Sequence, residues 1–508
     1  MYLCAFHVGG ERLDRGPLFT YLARLRDERE ADVATISAGP FVAAVPARSR
    51  RRQPRIVRWN HLVAVGDARL DNRAEVARIG NVPGATMACR FTDLAQSDFE
   101  LSDLDLVVRA VDACGERCIP SILGDFAFVL WDPRAQKLIA ARDAFGVKPL
   151  YRRKLDDVLL FSDRMDAIAT DGTYDLDFIG DFLTGLVDPG VRTVWSGVRA
   201  VPAGGFLLQR GTIAATRRYW SPEDFTPEPG EVEPLQERFM SLLREGVRSR
   251  LGPAGTTWAQ LSGGLDSSSV VALANDIAAP GQGLVGTITL VDTLGGGDER
   301  RYSDSVVHKC GLRNEQVHDY WAWQEDDQPP PITDGPRPLY PFYARDRRTV
   351  EILRNAGGRV VLSGFGSDHY LTGNPGYITD FAARGKFATA LRELTRWSVS
   401  NRQSFWTLAN QHLVGPLLGL GSANGRGAQL PGWIDERFAE HRALGPRTIG
   451  AIGRAKPGRV FAQRACRDVK SIPAWIDRWP FVDDVEVRYP FLYRPLVELS
   501  LRLPAELK

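Results

Sequence analysis

The sequence predicts two domains of different class: an α+β domain over 1–215, with antiparallel sheets between helices, and an α/β domain with many helices over 216–508. Three observations carry this reading. Short apolar runs bounded by turn residues fill the first part, as in a strand-rich domain. From about 257 onward, strand-like and helix-like segments alternate, the pattern of a parallel sheet with crossover helices. Between the first such strand and helix lies a loop of Gly and Ser.

In the first domain the runs at 61–66 and 127–131 read as strands, and 137–141 and 158–162 continue the style. Gly146, Pro149, Gly204 and Gly205 punctuate them. One helix interrupts, over 103–114, where Leu106, Val107 and Ala110 recur at helical spacing. The Pro/Glu/Gly-rich stretch 221–234 reads as a linker, followed by a helix over 235–251 with Phe239, Leu242, Leu243 and Val247 on one stripe. Strands are then expected at 257–261, 284–291 and 359–363, helices at 269–278 and 302–310, and a helical region rich in Trp and Arg from about 380.

Composition narrows the function. At about 100–200 residues per domain, 508 residues suggest two to four domains. Lys+Arg 64 against Asp+Glu 62 gives no support to nucleic-acid binding, which needs a basic face. Arg48, Arg50, Arg51 and Arg52 form a solvated loop or a patch for an acidic partner. No run of about 18 apolar residues offers a membrane span, and the first ten residues lack the features of a secretory signal. Cys4, Cys89, Cys114, Cys118, Cys310 and Cys466 are too sparse for a disulfide framework. Cys114 and Cys118 share the spacing of one helix face, with no second pair to complete a zinc site. A cytoplasmic, reduced protein is expected.

The loop Leu261-Ser262-Gly263-Gly264-Leu265-Asp266-Ser267-Ser268 carries the chemistry. Glycines without Cβ let backbone N–H groups approach phosphate oxygens. The serines add hydroxyls, and the following helix points its positive end at the anion. Asp266 beside a triphosphate needs a cation, and Mg²⁺ takes few carboxylates together with phosphates. No Lys follows the glycines, so this is not the loop of the common ATPases and GTPases. A structural turn capped by Asp266 is the alternative. A second loop, Ser363-Gly364-Phe365-Gly366-Ser367-Asp368, again leads from a strand into a Gly-rich turn and an Asp. On a neighbouring parallel strand it would face the same crevice, and Asp266 and Asp368 would share one Mg²⁺. Phe365, Gly366 and Tyr370 are then candidates for substrate contact. So is the aromatic-rich surround of Pro336–Tyr343, Tyr377, Trp397, Phe405 and Trp406, with core packing as its alternative.

The first loop resembles the SGGxDS signature of the ATP pyrophosphatase superfamily, whose fold is that of the adenine-nucleotide α-hydrolases. Together with Gly124-Asp125-Phe126-Ala127-Phe128-Val129-Leu130-Trp131-Asp132, Ala141-Arg142-Asp143-Ala144-Phe145-Gly146-Val147-Lys148-Pro149-Leu150-Tyr151 and Glu486-Val487-Arg488-Tyr489-Pro490-Phe491-Leu492 followed by Leu503-Pro504, the chain resembles the asparagine synthetase family over nearly its whole length. The resemblance implies an N-terminal glutaminase-like domain of the Ntn-amidotransferase type and a C-terminal synthetase domain. The latter uses ATP and Mg²⁺ to form an acyl-adenylate that an amine attacks. Departures from the family pattern point further. Tyr2 stands where glutamine-dependent members carry a processed Cys, and cleavage after Met1 would not expose Cys4, which reads as a strand hydrophobe. Arg69 replaces the Glu that recognises glutamine, while Asp103 persists at a family position. The N-terminal domain is therefore expected to be an inactive scaffold and the nucleophile not to be ammonia.

The segment Gly66-Asp67-Ala68-Arg69-Leu70-Asp71-Asn72-Arg73 is similar to the RxDNR run of the lasso peptide cyclases. These close a macrolactam between a peptide's N-terminal amine and an Asp or Glu side chain. Phe365 replaces the Tyr of β-lactam synthetases and the Glu of asparagine synthetases. A peptide α-amine, with a pKa of about 8, needs little help to lose its proton. The resemblance implies a precursor peptide as substrate, with a leader peptidase and a leader-recognition protein as partners. It also implies a catalytic Lys beyond the Leu-Pro segment. Lys508 follows that segment closely but matches another family position. Small-molecule amide ligation of the β-lactam type, glutamine-dependent asparagine synthesis and a non-catalytic precursor-binding scaffold remain the alternatives.

Overall fold

The computed structural model describes residues 1–14, 16, 33–46, 55–82, 101–185, 191–227, 232–278, 283–291, 299–318, 334–336, 342–417, 430–445, 458–476 and 485–505. The cluster Arg48–Arg52, Cys89, residues 337–341 and Lys508 lie outside them.

The described residues of the first part form twelve strands: β1 (Leu3–His7), β2 (Val33–Ala38), β3 (Phe41–Pro46), β4 (Arg55–Trp59), β5 (Leu62–Leu70), β6 (Gly124–Asp132), β7 (Lys137–Arg142), β8 (Tyr151–Leu155), β9 (Val158–Ser162), β10 (Val198–Ala200), β11 (Gly205–Arg210) and β12 (Ile213–Arg218). They form two antiparallel sheets in the orders β10-β8-β9-β1-β3-β2 and β12-β11-β7-β6-β5-β4. The sheets pack face to face. Alternate residues Cys4 and Phe6, Val63 and Val65, and Val129 and Trp131 enter the shared core. Their neighbours Ala64, Phe128 and Leu130 point to the opposite face and meet helices Arg73–Ile79 and Asp103–Cys114.

The second helix is set by a capping box, in which Ser102 and Asp105 satisfy each other's backbone N–H groups. It ends at Cys114, because Gly115 takes φ 66°. Cys118 therefore sits in the following 3₁₀ turn Gly115–Ser121 and not on the same helix face, which corrects the reading from spacing. Helices Arg73–Ile79 and Leu176–Leu183 were not expected, being too short to show a period.

The second part is built on β13 (Thr257–Gln260), β14 (Gly286–Val291), β15 (Asn314–His318), β16 (Val360–Leu362) and β17 (Glu486–Arg488). All pair in parallel, in the order β15-β14-β13-β16-β17. Helix Leu265–Ile277 starts at Leu265 and not at 269, so Asp266 lies in its first turn. Helix Val232–Arg248 begins inside the stretch expected to be a linker. One face of the sheet packs on helices Val232–Arg248, Leu265–Ile277, Val460–Trp475 and Arg494–Arg502, and the other on Tyr343–Asn355. β17 lies within the region expected to be helical. Among the described residues no helix is long and apolar enough to cross a membrane.

Candidate active site

β13 and β16 are neighbours, so the two Gly-rich loops leave the sheet side by side at its C-terminal edge, where open α/β sheets bind ligands. In the first loop Leu261 is buried and its amide extends the sheet by donating to the carbonyl of Ile288 at 2.8 Å. Gly263 takes φ +90°, and a Cβ there would lie 2.9 Å from both the Glu299 carbonyl and the Tyr302 Cβ. Neither conformation nor space admits a side chain. Gly264 caps the helix without a side chain, which leaves the first-turn amides of Leu265, Asp266 and Ser267 at the positive end of a thirteen-residue helix. The Ser267 hydroxyl is turned inward. It accepts from the Ser262 amide at 3.1 Å and reaches the Gly264 carbonyl at 3.3 Å, so it shapes the loop. Ser262 is exposed and Ser268 half-buried; Leu265 is 86% exposed beside them.

The second loop is held by the Ser363 amide donating to the Arg488 carbonyl at 2.9 Å and by the Ser367 hydroxyl donating to the Gly364 carbonyl at 3.2 Å. The loops touch at Gly364, where an added Cβ would stand 2.7 Å from the Ser267 amide nitrogen. Gly364→Ala is accordingly expected to push the loops apart. Displacement at this scale costs about a hundredfold in turnover, read as AMP release, and the melting temperature should move little by comparison.

Asp266 hydrogen-bonds Ser367, and its carboxyl is pushed above the ordinary aspartate value by burial, with the nearby Asp368 adding to the push. Asp368 is exposed and accepts from the Thr372 hydroxyl at 3.1 Å. Among the described residues no group of three or more His, Cys, Asp or Glu gathers, so the chain offers this pair of carboxylates. The pair suits a divalent ion that takes its other ligands from phosphate and water. Phe365 is half-buried with its ring edge-on to His369 and Tyr489, and it places hydrocarbon next to the carboxylates.

Tyr370 and Gly366, expected to contact substrate, are both buried. Tyr370 is 1% exposed, its hydroxyl donating to the Phe491 carbonyl at 2.7 Å, and Gly366 is buried against Leu492. Tyr377, Trp397 and Phe405 pack among the helices around Ile378, so the packing alternative holds for them.

The segment around Arg69 is held by ion pairs. Arg69, 6% exposed, donates to Asp125 and Asp71 at 2.8 Å each. Burial works against its charge, but Asp125 and Asp71 outweigh that and hold it above its ordinary value. Asp103 accepts from the Leu70 amide at 2.7 Å and pairs with Arg73. Cys4 is buried in β1, and burial pushes its thiol up, away from nucleophilic use.

Residues 238–508 match the family model described as asparagine synthase, and residues 93–220 match one described as a glutamine amidotransferase domain. This chain belongs to the asparagine synthase family. Its relatives include a protein named amidase chyE from Penicillium rubens, 26% identical over 57% of this chain and 46% of that protein. Another is asparagine synthetase [glutamine-hydrolyzing] 2 from Bacillus subtilis, 25% identical over 80% of this chain and 54% of that protein. The chain thus spans about half the length of the curated relatives it matches. A solved glutamine phosphoribosylpyrophosphate amidotransferase from B. subtilis, complexed with ADP and GMP, matches 72% of this chain and 75% of that chain at 11% identity. Its TM-score of 0.24 is too low to bear on the site.

Membership in this family fits the architecture, an amidotransferase-type part followed by a synthetase part. Sequence reasoning missed three contributors: Glu299 and Tyr302, which crowd Gly263, and Arg250, which lies behind the second loop. No motif marks the first two, since they meet Gly263 only through the tertiary fold. Arg250 is one arginine among many and carries no signal of its own.

Proposed function

We propose that this chain is an ATP-dependent, AMP-forming amide ligase of the lasso peptide cyclase type. The contact of the two loops at Gly364, which sets Asp266 beside Asp368, carries the ligase part of the reading. The amides at the head of helix Leu265–Ile277 receive the phosphates of ATP. Mg²⁺ held by Asp266 and Asp368 would neutralise charge on those phosphates. A side-chain carboxylate oxygen of the substrate bonds to the α-phosphorus, and pyrophosphate leaves with the electrons of the broken P–O bond. The amine nitrogen then bonds to the acyl carbon, AMP departs, and the amine gives up a proton. The protein's share is positioning and charge stabilisation.

The nucleophile is an amine carried by the substrate. The buried Arg69 supports this, since it stands at the position of the glutamine-recognising Glu and its guanidinium is paired with Asp71 and Asp125. The N-terminal part then acts as a scaffold without glutaminase activity. Phe365 supports a substrate whose amine needs no auxiliary base. Such a substrate is a precursor peptide delivered by a leader peptidase and a leader-recognition protein, closed into a macrolactam through an Asp or Glu side chain.

The test is incubation of the full chain with ATP, Mg²⁺ and a leaderless candidate peptide. One AMP per cyclised product, with loss of one water by mass, is expected, and no glutamate should form from added glutamine. Turnover with aspartate and glutamine would overturn the reading in favour of asparagine synthesis. ATP–pyrophosphate exchange with only a small amino-acid derivative would replace the peptide by a small molecule.

A further inference from the structure

Behind the second loop lies the 3₁₀ turn Pro490–Leu492, and the two are joined at three points. Gly366, at φ +113°, sits so close to Leu492 that an added Cβ would be 2.6 Å from its side chain. The Tyr370 hydroxyl donates to the Phe491 carbonyl at 2.7 Å. The Ser363 amide donates to the Arg488 carbonyl, just before the turn, at 2.9 Å.

The turn is held in its own right by Arg250, which is 1% exposed. Its guanidinium donates to the Leu492 carbonyl at 3.2 Å and to Asp71 at 3.0 Å. Asp71 directly follows strand β5 and is clamped by Arg69, which also reaches the Ser249 carbonyl at 3.1 Å. Burial holds the Arg250 guanidinium below its ordinary value, and Asp71 counters part of that cost. A second set of contacts runs beside the first. Asp67 pairs with Lys148, Lys148 with Glu486 on β17, and Glu486 with Arg488, whose guanidinium donates to the carbonyls of Arg250 and Leu251. The network contains four acids (Asp67, Asp71, Asp125, Glu486) and four bases (Arg69, Lys148, Arg250, Arg488), so its charge is balanced. It runs from strands β5 and β6 to the loop that carries Asp368.

We infer that Arg250 is a positioning residue for the Asp368 loop, and that the N-terminal part has a working role as the brace that fixes it through Asp71. The inference rests on the proposed adenylation for its effect on turnover, but not for its effect on the loop itself. A lysine cannot replace Arg250, because a single ammonium does not span a carboxylate and a carbonyl as the planar fork does.

The test compares wild type, Arg250→Lys and the isosteric Tyr370→Phe as full-length chains. Hydrogen exchange in the peptide covering 363–371 is followed against that covering 261–268. Both variants should exchange at least several-fold faster in the first peptide and unchanged in the second. AMP formation should fall by about tenfold in kcat with less than threefold change in KM for ATP, because the nucleotide rests mainly on the first loop. Uniform acceleration along the chain would show a structural role only and overturn the inference. So would unchanged exchange in the first peptide in both variants; should Arg250→Lys fail to fold, Tyr370→Phe decides. A wild type that makes no AMP would refute the proposed function while leaving the exchange comparison valid.

Discussion

Asp266→Asn is expected to abolish AMP formation while leaving the ligand-free protein at least as stable as the wild type. The carboxyl is half-buried, and burial together with Asp368 pushes it above the ordinary aspartate value. Neutralising it relieves an unfavourable charge in the empty site, yet removes a ligand for the ion on the phosphates. Loss of such stabilisation costs about a thousandfold in turnover. AMP release and thermal unfolding with and without Mg²⁺ and an ATP analogue check both halves. Wild type should be stabilised by the nucleotide through mass action and the variant should not. The pH dependence has a definite sign. Between the unfolded and the raised folded value the native state holds the extra proton, so this group's contribution to stability falls as pH rises through that window. Nucleotide affinity should change in the opposite sense, since only the ionised carboxylate holds the metal. A variant that keeps turnover within tenfold of wild type, or melts well below it without ligand, would refute the assignment.

Glu486→Ala is expected to be among the most destabilising single substitutions in the chain. The carboxylate joins Lys148 at 2.8 Å to Arg488 at 2.9 Å, and both cations are largely shielded from water. Removing it leaves Lys148 with Asp67 alone and Arg488 with only the carbonyls of Arg250 and Leu251; deleting one partner of a buried pair costs about 3–5 kcal/mol. Denaturant unfolding followed by two probes measures the loss. A double-mutant cycle with Lys148→Ala separates the pair from its surroundings. The double variant should cost less than the two single costs added, because the contact between the two is lost only once. Strict additivity would show that Glu486 and Lys148 do not act together.

On the proposed reading, in which the N-terminal part lacks glutaminase activity, the network gives that part a role in holding the synthetase part. Arg69 and Asp71 lie where the resemblance places a substrate pocket. In the structure they bind each other, Asp125 and Arg250. A pocket filled by its own ions can no longer bind a small polar amide, but it can hold a neighbouring turn in place.

Much of the candidate site was legible because its chemistry is local. Gly263, Gly364 and Gly366 adopt conformations or close approaches that side chains forbid, so composition and order alone marked both loops. The same holds for the strands expected at 61–66 and 127–131, whose apolar runs report two buried faces; β5 and β6 extend beyond them to Leu70 and back to Gly124. Only the tertiary structure decided what depends on partners far along the chain. β17 is three residues long and carries two charges, so no periodicity announces it, and its pairing with β16 makes it a strand. Tyr370 looked like a substrate contact beside the second loop, until a carbonyl 121 residues away took its hydroxyl. Arg69 read as a lost function, and Arg250 had no reading at all. Their shared grip on Asp71 is a contact between segments about 180 residues apart, which depends on three-dimensional proximity and leaves no pattern in the order of the residues.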